Sequence, residues 1–170
     1  MITTSTHLFF YGARPFNNWV RTERQIQEPS MRLSFDSSEQ YFMWMKAITF
    51  NDLETAARII AEKDPRAAKE LGQQVKGYNE EAWARVREDA MIRACYLKFS
   101  QNPDFGKALL ATGDRIIVEA SPIDTIWGVG LAEKDPLILD ERNWKGLNLL
   151  GKSLMKVREM LNKDAEHPGA

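Results

Sequence analysis

The sequence predicts an α+β fold that is mostly helical. Two observations carry this reading. Helix-start residues stand before most of the apolar runs: Ser37, Asn51, Asp64, Asn79 and Asn102. Strand patterns, by contrast, are confined to short stretches near residues 7–11, 31–35 and 115–120.

The elements follow in order. His7-Leu8-Phe9-Phe10-Tyr11 is aromatic enough for a short strand. Gly12 and Pro15 then force a loop that carries Phe16, Asn17, Asn18 and Trp19. Met31 to Phe35 alternates apolar and polar residues, the pattern of a half-buried strand. Ser37 with Gln40 reads as a capping box, so a helix begins there and runs through Glu39, Tyr41, Phe42, Trp44, Met45 and Lys46. Asn51 with Glu54 reads as a second box, before Leu53, Ala56, Ala57 and Ile60. Asp64-Pro65 starts a further helix, with Pro in the first turn where its missing N–H is harmless, and Gly72 ends it. Asn79 caps a long helix whose stripe is Trp83, Val86, Ala90, Ala94 and Leu97. Asn102-Pro103 opens another helix, closed by Gly113. Ile116-Ile117-Val118 is a β-branched run that reads as a buried strand. A loop rich in small residues follows from Ser121 to Gly130, and a last helix places Leu150, Leu154, Val157 and Leu161 on one face.

No Pro/Gly/Ser-rich linker divides the 170 residues, which predicts one domain over residues 1–161 and a polar tail over 162–170. That length buries a core without disulfides or a structural metal. The net charge of -1 gives no global pull toward nucleic acid or anionic lipid. The lone cysteine, Cys95, suits a reducing compartment and sits in a helical apolar pattern, where it reads as buried filler. The start, Met1 to His7, has no apolar core of a leader, and no apolar run is long enough to span a bilayer. The expectation is a cytoplasmic protein, in a cell or in the host of a virus, with no membrane partner.

Chemistry has few places to reside. The histidines, His7 and His167, stand near the two ends, so neither a zinc ligand set nor a Ser-His-Asp triad can be assembled. No phosphate loop, dinucleotide fingerprint or DNA-reading motif is present. Glu39 and Lys46 lie two turns apart on one helix face, either as a solvated pair or pointing into a pocket. Asp124 and Trp127 sit in the loop with Gly128 and Gly130. That loop is either a structural turn with a core Trp, or a nucleotide site whose ring stacks on a base and whose acid meets the sugar.

Several segments together resemble one known family. Phe16-Asn17-Asn18-Trp19 is similar to its Phe-Ser-Asn-aromatic segment. Ser38-Glu39-Gln40-Tyr41-Phe42 through Lys46-Ala47 is similar to its Ser-Glu-x-Tyr helix, with a lysine seven residues after the Glu. Lys69-Glu70-Leu71-Gly72, the helix from Trp83 through Met91 to Lys98-Phe99, Leu109 to Gly113 and Val118-Glu119 resemble the next segments. Asp124-x-x-Trp127-Gly128-x-Gly130 resembles its signature loop, and Gly146-x-Asn148-x-Leu150-Gly151 with Leu154 to Arg158 its C-terminal helix. On these segments, over roughly residues 8–161, the chain is identified as a member of the NADAR (YbiA-like) family.

The resemblance implies an enzyme that hydrolyses a C–N ribosidic bond of an ADP-ribosyl or phosphoribosyl compound. The substrate is ADP-ribosylated guanine, which nucleic acid can present, or a phosphoribosylamino intermediate of riboflavin synthesis. Glu39, Lys46 and Asp124 are the implied catalytic residues. Asn18, Trp19, Trp83, Trp127, Gly128 and Asn148 are the implied substrate-binding residues. No metal or cofactor is required by this chemistry, and the oligomeric state is left open. Glu119 is a weaker candidate, because a strand carboxylate can simply pair with a basic neighbour. The alternative is a non-catalytic sensor domain for NAD or ADP-ribose derivatives; a helical protein with no pocket is the least favoured reading. Gln73 departs from the family, which often has Arg after the Leu-Gly turn, and residues 20–30 align poorly.

Overall fold

The computed structural model describes residues 1–12 and 15–166. Its elements, in chain order, are β1 (Ile2–Thr3), β2 (His7–Phe10), β3 (Ile26–Glu28), β4 (Leu33–Phe35), α1 (Ser38–Thr49), α2 (Leu53–Ala61), α3 (Pro65–Gln73), α4 (Glu80–Gln101), α5 (Pro103–Leu110), β5 (Ile116–Glu119) and α6 (Leu149–Glu166). Two 3₁₀ helices, Pro136–Leu139 and Glu141–Asn143, lie between β5 and α6. The α+β, mainly helical architecture matches the expectation. The residues form two compact units, one of residues 1–17 with 106–170 and one of residues 18–105.

The first unit is built on a three-stranded sheet in the order β1-β2-β5. β2 and β5 are parallel, with Phe9 opposite Val118 and Phe10 opposite Glu119. Phe9, Val118, Ala120, Val129, Leu131 and Ile138 form a buried cluster, with Ile116 and Trp144 against it. α6 buries Leu150, Leu154 and Val157 of its predicted stripe, while Leu161 is only half-buried. It comes so close to β5 that a Cβ on Gly151 would lie 2.0 Å from the Ile117 carbonyl oxygen, so only glycine fits. α6 also continues through residues 162–166, which the sequence reading placed in the tail; residues 167–170, including His167, lie outside the described residues.

In the second unit α1 packs against α2, α3 and α4. Its aromatic face is buried: Phe35 lies 5.0 Å from Tyr41 and 5.4 Å from Trp44, ring centre to ring centre. β3 and β4 pair antiparallel, with Ile26 opposite Phe35. β3 falls in the stretch that sequence comparison leaves undefined. β4 is shorter than the strand expected from Met31, because Arg32 takes a left-handed φ of 55° in the turn.

Capping at the helix starts follows the sequence with two corrections. The Ser37 hydroxyl accepts the Gln40 N–H at 3.1 Å, but the Gln40 side chain accepts from Asp36 rather than from Ser37. α2 is capped by Asp52, whose carboxylate accepts the Thr55 N–H at 3.1 Å; Asn51 instead takes a left-handed turn at φ 55°. Asp64 and Asn79 cap α3 and α4 as expected. Gly72 does not end α3. It lies within the helix and lets α1 approach, since a Cβ there would lie 2.1 Å from the Met43 sulfur. Val86 leaves the buried stripe of α4 and is exposed, while Met91, Cys95, Lys98 and Phe99 join it.

Candidate active site

In the second unit the N-terminus of α1 holds Glu39. The residue is 6% exposed, which removes the solvated-pair reading for this side chain. Its backbone N–H donates to the Asn18 carbonyl oxygen at 3.1 Å. The Ser38 hydroxyl donates to the Asn18 side-chain oxygen at 3.0 Å, and the Asn18 amide reaches the Met91 sulfur at 3.1 Å. Asn18 is thus a buried brace between the loop, α1 and α4, and it fixes Trp19 beside the start of α1. Trp19 is 36% exposed.

Cys95 is wholly buried, as expected of filler. Burial pushes its thiol up to about 12; Lys98 opposes this shift and Glu39 adds to it. A buried carboxylate and a buried ammonium therefore act on one thiol. Lys98 is the member that sequence reading treated only as part of a motif. Its place next to Phe99 in an apolar stripe was the available signal, and its Nζ lies 5.3 Å from the Phe99 ring centre and 5.6 Å from that of Phe105.

Lys46, two turns along α1, is half-buried, with Nζ 4.2 Å from the centre of the Tyr78 ring. Burial pulls its pKa down and the Glu80 carboxylate partly restores it. The free-amine form is thereby more accessible than in an ordinary lysine. Trp83 is buried against Phe42, ring centres 5.1 Å apart. An open depression of about 480 Å³ beside α2 and α3 is lined by Arg58, Glu62, Glu70, Leu71 and neighbours, and none of the residues expected at the site lines it.

The first unit holds the Asp124 loop. One carboxylate oxygen, Oδ1, accepts the N–H groups of Ile126 at 2.9 Å and Trp127 at 2.7 Å. This Asx-type turn fixes the half-buried Trp127. Gly128 is required by packing within the loop: a Cβ would lie 2.9 Å from the Glu119 carbonyl oxygen and 3.0 Å from that of Asp124. Gly130 takes a left-handed φ of 69°.

Asn148, buried and at φ 53°, accepts the Glu119 N–H at 3.0 Å and donates to the Ile117 carbonyl at 2.9 Å. Its amide acts as an extra strand along β5, with one polar end on the Glu119 backbone and the other on that of Ile117. Val129 N–H closes the other side, donating to the Glu119 carbonyl at 3.1 Å. The Glu119 side chain departs from its expected pairing: among the described residues no base pairs with it. Burial, then the negative charge of Asp124, push its pKa up to about 8. At neutral pH Glu119 is therefore a protonated acid.

No group of three or more His, Cys, Asp or Glu among the described residues is placed to hold a metal ion. No helix among them is long and apolar enough to cross a membrane. A carboxyl of raised pKa, a lysine of lowered pKa and partly exposed indoles are residue types that glycosidases use.

Comparison with known proteins agrees. The model of the NADAR domain matches residues 9–162, and the chain belongs to this family. It is 40% identical over 153 residues to protein irg-1 of Caenorhabditis elegans, covering 89% of this chain and 71% of that protein. It is 38% identical over 164 residues to N-glycosidase R617 of Acanthamoeba polyphaga mimivirus, covering 92% and 96%. The solution structure of the E. coli protein YbiA superposes with a TM-score of 0.76 at 26% identity, covering 98% of this chain and 90% of that one.

Proposed function

We infer that the chain is an N-glycosidase that hydrolyses the C–N bond of a ribosyl compound carrying a phosphate or an ADP group. Membership of a family whose relatives are named N-glycosidases supports the bond type. The observation that carries the chemistry is the protonated Glu119 beside Asp124. Cleavage leaves the bonding electron pair on the departing nitrogen and positive charge on the sugar carbon and ring oxygen. Glu119 gives its proton to that nitrogen. A water oxygen bonds to the sugar carbon, and its proton passes to a carboxylate. Solvent then restores the proton on Glu119.

Glu39 is the buried carboxylate that stabilises the cationic sugar or accepts the proton of water. Asp124 orients Trp127 and adds its charge to the burial that keeps Glu119 protonated. Lys46 is a nucleophile that adds to the sugar carbon and is later displaced by water, or an electrostatic stabiliser. Trp19, Trp83, Trp127 and Gly128 contact substrate, while Asn18 and Asn148 are positioning residues. A single, buried cysteine, Cys95, suits a reducing cytoplasm.

The test incubates the chain with an ADP-ribosylated guanine nucleoside, a phosphoribosylamino pyrimidine and NAD, and follows free base and free sugar by mass spectrometry. Release of base from one of them identifies the substrate. Tight binding without release from any would establish a sensor instead.

A further inference from the structure

The turn between α3 and α4 is pinned beside the end of α1. The Lys76 N–H donates to the Asp52 carboxylate at 2.8 Å, and Gly77 turns the chain at φ 72°. This places the Tyr78 ring against two residues of α1 and its cap. Phe50 meets it edge-on, ring centres 5.4 Å apart, and Lys46 Nζ lies over its face, 4.2 Å from the centre. The Tyr78 hydroxyl donates to the Glu80 carboxylate, whose other oxygen accepts from Arg87 at 2.9 Å. Arg87 is largely covered, with 13% of its side chain exposed.

Of the charged groups on the elements packed against α1, Glu80 is the one whose charge acts on Lys46. Yet the two form no ion pair: the ammonium sits over the face of the ring, and the carboxylate is held at its hydroxyl edge. Both ties on Glu80 persist at neutral pH. Burial and Glu80 push the Tyr78 phenol up, so it stays a donor, and Tyr78 above all pulls the Glu80 carboxyl down, so it stays charged. The distinction matters for chemistry. A lysine paired with a carboxylate is fixed as an ammonium and has no lone pair to offer, whereas an amine screened from water, with its counter-charge held off, gives up its proton more readily. An aromatic face supplies the screen and only weakly favours the ammonium.

We propose that Tyr78 is a positioning residue for Lys46: its ring screens the amine from water while its hydroxyl, with Arg87, keeps the Glu80 carboxylate from pairing with it. The role serves the reading of Lys46 as a nucleophile, but its test needs no turnover. The protein is labelled with trace acetic anhydride, which acetylates only the free amine, from pH 6 to 11, and acetylation at Lys46 is read by peptide mass spectrometry with circular dichroism at each pH. In wild type the midpoint should lie below the ordinary 10.5. Tyr78→Ala should move it up toward 10.5, because burial is the larger cause of the lowered value and opening the amine to water outweighs the lost attraction of the ring. Tyr78→Phe keeps the ring, and Arg87 keeps Glu80, so it should restore the wild-type midpoint. Glu80→Gln removes the opposing charge and should lower the midpoint further; as an exposed residue it also serves should Tyr78→Ala fail to fold. Base release at neutral pH should fall in Tyr78→Ala in step with the free-amine fraction, about tenfold for each unit the midpoint rises. A wild-type midpoint at 10.5, a Tyr78→Ala midpoint equal to that of wild type, a Tyr78→Phe midpoint that follows alanine, or a Glu80→Gln midpoint that does not fall would overturn the proposal. Shifted midpoints in a protein that releases no base would remove the enzyme and leave the screened lysine standing. Unshifted midpoints in a protein that does release base would do the reverse.

Discussion

Glu119→Gln should abolish one limb of the pH–rate profile. The Glu119 carboxyl is lifted from its ordinary value of 4.5 to about 8, first by burial and then by the charge of Asp124. In its role as proton donor the acid form is the active one. In wild type kcat/KM should be flat below pH 8, reach half near pH 8, and fall about tenfold per unit above it. Glutamine cannot supply the proton, so the rate should drop by about 10²–10⁴-fold and that limb should disappear. Asp124→Asn removes the second cause of the shift but not the first, so it should move the limb to lower pH, short of 4.5. The assay is base release under kcat/KM conditions from pH 5 to 10, with circular dichroism at each pH to establish that the fold persists. Folding has the same sign: the native state keeps a proton that the unfolded chain loses near 4.5, so this group's contribution declines from about 4.5 to 8 and then levels. A Glu119→Gln variant with the wild-type rate and limb would refute the assignment of the acid.

Three further outcomes follow from the packing and the ion pairs. Glu28 is 2% exposed and accepts from Arg93 at 2.8 and 2.9 Å, from Ser30 at 2.8 Å and from Tyr41 at 3.1 Å. Arg93 above all holds its carboxyl down to about 2. Glu28→Gln should cost about 1–3 kcal/mol at pH 7 in urea melts, and the gap to wild type should close as pH falls from 4.5 toward 2, because the pair stabilises above the unfolded value and is lost on protonation. Gly151→Ala should lower Tm more than Gly72→Ala. The first meets backbone at 2.0 Å and the second a flexible methionine sulfur at 2.1 Å, where overpacking typically costs about 1–3 kcal/mol; the reverse order would contradict this account of α6 on β5. Asn148→Ala should lower kcat with little change in KM, because its amide holds the Glu119 backbone, and a change confined to KM would instead make it a substrate contact.

The elements with strong local signals were legible in the sequence. Asp64-Pro65 and Asn79 carry their caps in the residues themselves, and Ile116 to Val118 can hardly be anything but a buried strand. Signals shared between neighbours were less so: Asn51 and Asp52 are both capping residues, and only the fold puts one of them in a left-handed turn. Gly72 looks like a helix stop because glycine usually is one, but its real constraint is Met43 on another helix. β3 was invisible because Ile26-Gln27-Glu28 is too short to show a period, and it is defined by pairing with β4.

For the candidate site, residue types were readable and environments were not. Glu39 and Lys46 share a helix face by spacing, but spacing does not give burial. Glu119 reads in sequence as half of an ion pair, and only the surroundings show a carboxyl without a basic partner, pushed up by burial and then by Asp124. The Asn148 amide reads as a ligand contact in sequence and is a strand surrogate in space.

The measurement that tests the central claim most directly is single-turnover base release by wild type and Glu39→Gln on the best substrate of the panel, with binding measured in parallel. Release by wild type, with a rate lost and affinity kept in the variant, is the predicted result. Equal rates for the two proteins would contradict the role of the buried carboxylate, and binding without release by either would contradict the glycosidase.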